Sequence, residues 1–120
     1  MTEKTQLTAA EAARLAVDVA SEKQATDIVM LDMRGLFAFT DYFVILTGES
    51  RRQMQGILED IDGALDNAGM TLHHKEGTPD GGWVLMDYGD MLIHVFAPEE
   101  RDYYNLEQLW SQATVLFRIQ

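Results

Sequence analysis

The stretch "TGESRRQ", Thr47 to Gln53, follows an apolar run at Tyr42 to Leu46 and leads into a helical pattern. A glycine-containing turn that opens a helix presents free amides to an anion, which makes this stretch a candidate phosphate or nucleotide cradle. A lone Gly-x-Ser carries that signal weakly. Ser50 equally suits a plain helix cap, its hydroxyl accepting from the amide of Gln53 while the Gln53 side chain reaches back. Arg51 and Arg52 stand at the positive end of the helix dipole, where cations are unfavourable, so an acidic group offsets them or water alone solvates them. Nucleotidyl transfer makes a further demand, two close carboxylates on the next strand to hold divalent metals. Thr71-Leu72-His73-His74-Lys75 contains no acid.

The other candidates are histidines and aromatics. His73 and His74 are adjacent in a predicted strand, so their side chains leave opposite faces and do not converge on one metal. Hairpin register places His94 diagonal to Asp87, within reach of a hydrogen bond. Such a pair either moves a proton or merely satisfies itself, and no nearby serine completes a nucleophilic triad. Asp87 and Asp90 bracket a turn, which is ordinary turn chemistry. Trp83 starts a strand directly after Gly81-Gly82. Partly exposed it would be a protein-binding hot spot, and packed under the third helix it would be core. Phe37 and Phe39, in "RGLFAFTD", pose the same alternative as lid or patch.

The elements that must position these residues follow from periodicity. Thr8 and Glu11 form a capping box for a first helix to about Lys23, with Ala12, Leu15, Ala16 and Val19 on one stripe. Ile28 to Leu31 and Tyr42 to Leu46 are continuous apolar runs, the pattern of strands covered on both faces. Met54, Ile57, Leu58, Ile61 and Leu65 follow Ser50 at helical spacing, and Gly69 suits the position just past the helix end. The passage from Tyr42 to about Lys75 favours a parallel crossover. After a loop, Glu76 to Gly82, the segments Trp83 to Tyr88 and Met91 to Phe96 flank Gly89-Asp90, a type II′ hairpin turn. That turn pairs Trp83 with Phe96, Leu85 with His94 and Asp87 with Leu92. Pro98, Glu99 and Glu100 suit the start of a third helix reaching Trp110. The "VLF" of the tail either adds a strand or packs loosely.

The chain of 120 residues contains no cysteine, which removes disulfides, thiolate zinc sites and cysteine nucleophiles. The length suits one domain. Its start, Met1 to Leu7, is polar, and nowhere do roughly 18 apolar residues run together, so no signal peptide, no membrane and a cytoplasmic location are expected. With 20 acidic against 9 basic residues the net charge is -11, unfavourable for gripping a phosphate backbone and favourable for a basic protein.

"TDIVMLDMRG", "TDYFVILTGESRRQ", "GWVLMDYGDMLIHVF" and "PEERDYYNLEQLW", in this order and at these intervals, resemble the ribosomal silencing factor (Iojap) family of bacteria and organelles. The resemblance runs from roughly Ala10 to Trp110. It implies a single α/β/α sandwich, residues 1–120 with a core at about 8–112, whose mixed sheet of about five strands carries helices on both faces. It implies kinship with nucleotidyltransferases without their catalytic carboxylates. It further implies a non-enzymatic repressor, with no cofactor or metal, that binds ribosomal protein fourteen of the large subunit. Little direct RNA contact is implied, and the small subunit is blocked sterically when nutrients are short. Carried over by motif, the partner-binding residues are Trp83, Val84, Leu85, Asp87, Tyr88, Arg101 and Tyr104, with Trp83, Leu85 and Tyr88 as anchors; Leu106 also matches the third-helix pattern. Phe37 and Phe39 depart from a connection that is often smaller and more polar. The alternatives are a large-subunit assembly factor, or a nucleotide-binding module or nucleotidyltransferase-like enzyme using the Ser50 turn and the Asp87/His94 pair. A homodimer of the free protein stays open.

Overall fold

The computed structural model describes residues 7–120, so the polar start, residues 1–6, on which the absence of a leader was read, lies outside the described residues. Six strands form one sheet in the order β3-β4-β5-β2-β1-β6. They are β1 (Thr26–Asp32), β2 (Tyr42–Thr47), β3 (His74–Thr78), β4 (Trp83–Asp87), β5 (Met91–Phe96) and β6 (Thr114–Ile119). Among the described residues four α-helices accompany them, α1 (Ala9–Glu22), α2 (Arg51–Asn67), α3 (Pro98–Tyr104) and α4 (Leu106–Leu109), with a 3-10 turn at Pro79–Gly81. The sheet is mixed, β2 and β5 running parallel and the other neighbours antiparallel. No helix among the described residues is long and apolar enough to cross a membrane.

The sheet has one strand more than expected, because the "VLF" tail is β6, antiparallel to β1. β6 lies beyond the core expected at about 8–112 and within the domain expected over 1–120. β2 is fully buried along its length and β1 nearly so, which is why both read as unbroken apolar runs. One face carries α1 and α2 over Val44, Leu46, Met86, Ile93 and Val95; the other carries α3, α4 and the Phe37 connection over Leu31, Phe43, Ile45 and Phe96.

α1 has the expected capping box, with Glu11 and Thr8 satisfying each other's amides. Its buried stripe is Ala12, Ala13, Ala16, Val17 and Ala20, rotated from the one expected. Small side chains let α1 lie close against α2 and the sheet, and the bulkier Leu15 and Val19 fall at the half-buried margin. α2 buries Met54, Ile57, Leu58, Ile61 and Leu65. At roughly 1.5–3 kcal/mol each, these outweigh its Ser50 cap, worth about 1 kcal/mol. Gly69 (φ +91°) closes the helix, donating to Asp66 while Met70 donates to Leu65, the two bonds of a Schellman end.

β3 begins later than read and continues through residues assigned to a loop. Its five residues, His74–Thr78, are all exposed, as suits a polar edge strand. β2 and β3 share a direction, as the crossover requires, yet the β4–β5 hairpin fills the two places between them. The hairpin keeps its expected register pair by pair from Trp83↔Phe96 to Asp87↔Leu92. Tyr88 donates to the Met91 carbonyl (2.9 Å), and Gly89 takes the positive φ (+89°) that the turn needs.

The third helix, read as continuous to Trp110, is two. Asn105 stands in the left-handed region (φ 43°) and separates α3 from α4. Asparagine tolerates that conformation better than other side chains with a Cβ, and the break turns Glu107 back onto Arg101.

Candidate functional site

The polar groups of the Ser50 turn are largely consumed inside the fold. Thr47 accepts from Arg101 Nη1 (2.9 Å), Glu49 accepts from the Thr26 hydroxyl (3.2 Å) and Ser50 Oγ accepts from the Gln53 amide (3.0 Å). The reciprocal half of the cap lies one residue away from where it was read: the Gln53 side chain accepts from the Glu49 amide, not that of Ser50. Its amide nitrogen also donates to the carbonyls of Lys23 and Gln24, stitching α2 to the end of α1. Gly48 is explained by packing, since a Cβ there would lie 2.7 Å from Met54 Cγ. Arg51 forms an exposed ion pair with Asp80 (2.8 Å), which offsets its position at the helix start. Arg52 has no ion partner among the described residues. No group of three or more His, Cys, Asp or Glu is gathered as metal ligands among the described residues.

His94 and Asp87 do not pair. Asp87 Oδ1 accepts from the Gly89 amide (2.7 Å), while His94 Nδ1 accepts from Trp83 Nε1 (3.3 Å). Both Asp87 and Trp83 are diagonal to His94 across the hairpin, and the one drawn into the turn is lost to it. With Nδ1 accepting, the imidazole proton sits on Nε2, which is buried and has no hydrogen-bond partner. Phe43 lies 4.9 Å from the ring and Phe96 stacks parallel at 6.1 Å. Burial among aromatics pushes the His94 pKa down to about 4, so the ring is neutral and structural.

The partner-binding candidates separate by face. Trp83, Leu85 and Asp87 are half-buried on the α3/α4 side, whereas Val84 and Tyr88 point into the core under α1 and α2. This corrects the expectation for both: alternation along β4 puts them behind the sheet. Tyr88 Oη donates to Asp62 (2.8 Å), and burial first, then this bond, raises its pKa well above the ordinary phenol. Arg101 is likewise unavailable, only 5 % exposed. Its Nε and Nη2 donate to Glu107 (3.2 and 3.0 Å), and Asp27 lies 3.4 Å from Nη2. Burial works to raise the Glu107 pKa, but the Arg101 hydrogen bonds and charge override it and hold the carboxyl below its usual range. Tyr104 is 54 % exposed, stacking on Phe96 at 5.9 Å.

What reaches solvent on this side is a run of apolar groups. Tyr103 and Phe39 are each 81 % exposed and Leu109 is 68 % exposed; Phe37 packs against Phe39, Trp110 and Phe43, and Tyr103 against Tyr104. Phe39 is therefore patch and Phe37 core. Tyr103 and Leu109 were not singled out from sequence. Helical periodicity gave no signal for them, because the break at Asn105 changes which residues of the segment face outward.

Residues 6–119 match the family model described as "Ribosomal silencing factor during starvation". The chain is 42 % identical over 100 residues to "Ribosomal silencing factor RsfS" of Bacillus subtilis (strain 168), covering 83 % of this chain and 85 % of that protein. A crystal structure of a Chromobacterium violaceum protein superposes with TM-score 0.83 at 33 % identity, covering 88 % of each chain. "Mitochondrial assembly of ribosomal large subunit protein 1" of Mus musculus is 31 % identical over an alignment of 104 residues that covers 79 % of this chain and 43 % of that protein. The chain belongs to the ribosomal silencing factor family.

Proposed function

We propose that the protein is a cytoplasmic translational repressor without catalytic activity. It binds the large ribosomal subunit through ribosomal protein fourteen and keeps the small subunit off by occupying its place, slowing translation when nutrients are limiting. The observation that carries this reading is the half-open apolar face of β4, α3 and α4, set in a strongly acidic member of the silencing-factor family. Such a face suits a basic protein surface, where charge speeds encounter and apolar contact holds the complex. The anchors are Trp83, Leu85 and Tyr104; Arg101 supports the face from within by tying α3 to Glu107 of α4, and Val84 and Tyr88 fix β4 from the opposite side of the sheet.

Co-sedimentation with purified large subunits tests the reading. Wild-type protein pellets with them and reduces subunit joining, and Trp83→Glu, confirmed folded by circular dichroism, loses both. A folded Trp83→Glu protein that still pelleted and still blocked joining would place the contact elsewhere.

A role in building the large subunit is a second reading, favoured by the name of the mouse relative. Depletion separates the two, since an assembly factor leaves precursor subunits behind and a repressor leaves mature subunits that join too readily. The nucleotide-binding reading loses support, because the turn it relies on spends its side chains internally. Saturable binding of ATP or CTP with magnesium in calorimetry, lost in Ser50→Ala, would restore it.

A further inference from the structure

A hollow of about 160 Å³ opens between the hairpin and the broken third helix, lined by Trp83, His94, Phe96, Tyr104 and Leu106. The walls are mostly aromatic or aliphatic; of the two ring nitrogens of His94, Nδ1 is taken by Trp83 Nε1, while the buried Nε2 has no partner among the described residues. The size of the hollow matches one apolar side chain, since a cavity of about 150 Å³ accepts a benzene-sized group. The hollow exists because Asn105 interrupts the helix, letting Tyr104 and Leu106 stand on either side of the break.

A second depression adjoins it across Tyr104, lined by Gly81, Glu99, Glu100 and Tyr103. It is acidic. Neither Glu99 nor Glu100 has a basic partner among the described residues, whereas the nearby Asp80 is paired with Arg51. The Glu100 carboxyl group lies over Gly82, in the space that a Cβ there would fill. An apolar socket beside uncompensated carboxylates selects a segment of matching pattern. A nucleic-acid base would also stack on such walls, but its phosphates would meet those carboxylates and a net charge of -11.

We propose that this hollow is the socket for a single aliphatic or aromatic side chain of a protein partner, and that a lysine or arginine close to it in the partner's chain lies against Glu99 and Glu100. The inference rests on the large-subunit reading and names the pattern its protein contact must carry.

The test measures the affinity of purified large subunits for the wild type and for variants of the protein, with thermal unfolding as a check on each fold. Leu106→Phe fills the socket and weakens binding about ten-fold, as does Tyr104→Ala, which removes a wall, while Glu59→Gln, exposed on α2 at the other side of the sheet, binds like wild type. Should Leu106→Phe not fold, Tyr104→Ala against the wild type carries the comparison. Glu99→Lys weakens binding on the order of three-fold at low salt, a difference that fades as salt rises. Wild-type affinity in both the filled and the opened variants, with Trp83→Glu still inactive, would overturn the socket and leave the large-subunit reading standing. Tighter binding by Glu99→Lys would overturn the cationic neighbour and point to RNA. Failure of the wild type to bind at all would remove both readings together.

Discussion

His94 couples the stability of the fold to acidity. The unfolded imidazole titrates near its ordinary 6.5, and the folded one only near 4 because its neighbours, Trp83, Phe43 and Phe96, carry no charge. Its folded pKa is the lower of the two, so between these values the unfolded chain binds a proton that the folded chain refuses. Stability is therefore full above about pH 6.5 and falls as pH drops towards 4, by about 3 kcal/mol over the whole window. Urea midpoints measured from pH 7 to pH 4 check this, and His94→Gln, which cannot titrate, flattens that part of the profile. The hairpin register was readable from sequence to the residue, because Gly89-Asp90 fixes it. The partner of His94 was not, because register offers two diagonal neighbours and only three-dimensional geometry chooses Trp83 over Asp87. Alternation along β4 was also readable, and applied strictly it would have withdrawn Val84 and Tyr88 as surface contacts.

Among the elements, α3 and α4 carry most of what the sequence concealed. A Pro98 start and acidic first turn announce a helix, and nothing in "YYNLEQLW" marks a stop as a glycine would. Asn105 nevertheless adopts φ 43°, where a side chain with a Cβ is strained and asparagine least so. Asn105→Gly is accordingly near neutral in stability, and Asn105→Val costs about 1–2 kcal/mol, as guanidinium unfolding would read. If valine were as stable as asparagine, the break would not depend on this residue. Two other devices were partly hidden. The register of β1 shifts between Thr26 and Val29, and Asp27 there (φ 48°) meets both Arg101 and Arg118. Gly77 has φ +82° and leaves only 2.1 Å between its missing Cβ and the Trp83 carbonyl oxygen, so β3 crowds the start of β4. The long elements α1, α2, β1 and β2 were legible because burial on one face or two leaves a period in the sequence; short bridges held by ion pairs leave none.

Over the whole molecule, the two ends of the chain's middle are tied together late. β6 pairs with β1, and Arg118 reaches Asp27 at 3.2 Å across 91 positions of sequence. Phe117 and Ile119 pack on the α1 side, with Arg14 over the Phe117 ring at 4.1 Å. Removing residues 114–120 strips all of this at once and bares one edge of β1. The shortened chain is expected to unfold at a Tm lower by about 4–8 °C for each kcal/mol lost, and to associate through the uncovered edge. Calorimetry and light scattering check both; an unchanged Tm would make β6 an ornament. The same arrangement sets an order of events during synthesis. Domains generally fold from the N-terminus as they are made, yet here the outer edge of β1 is covered only after β6 has been synthesised, far along the chain. Nascent chains that stop short of Thr114 therefore carry an open apolar strand.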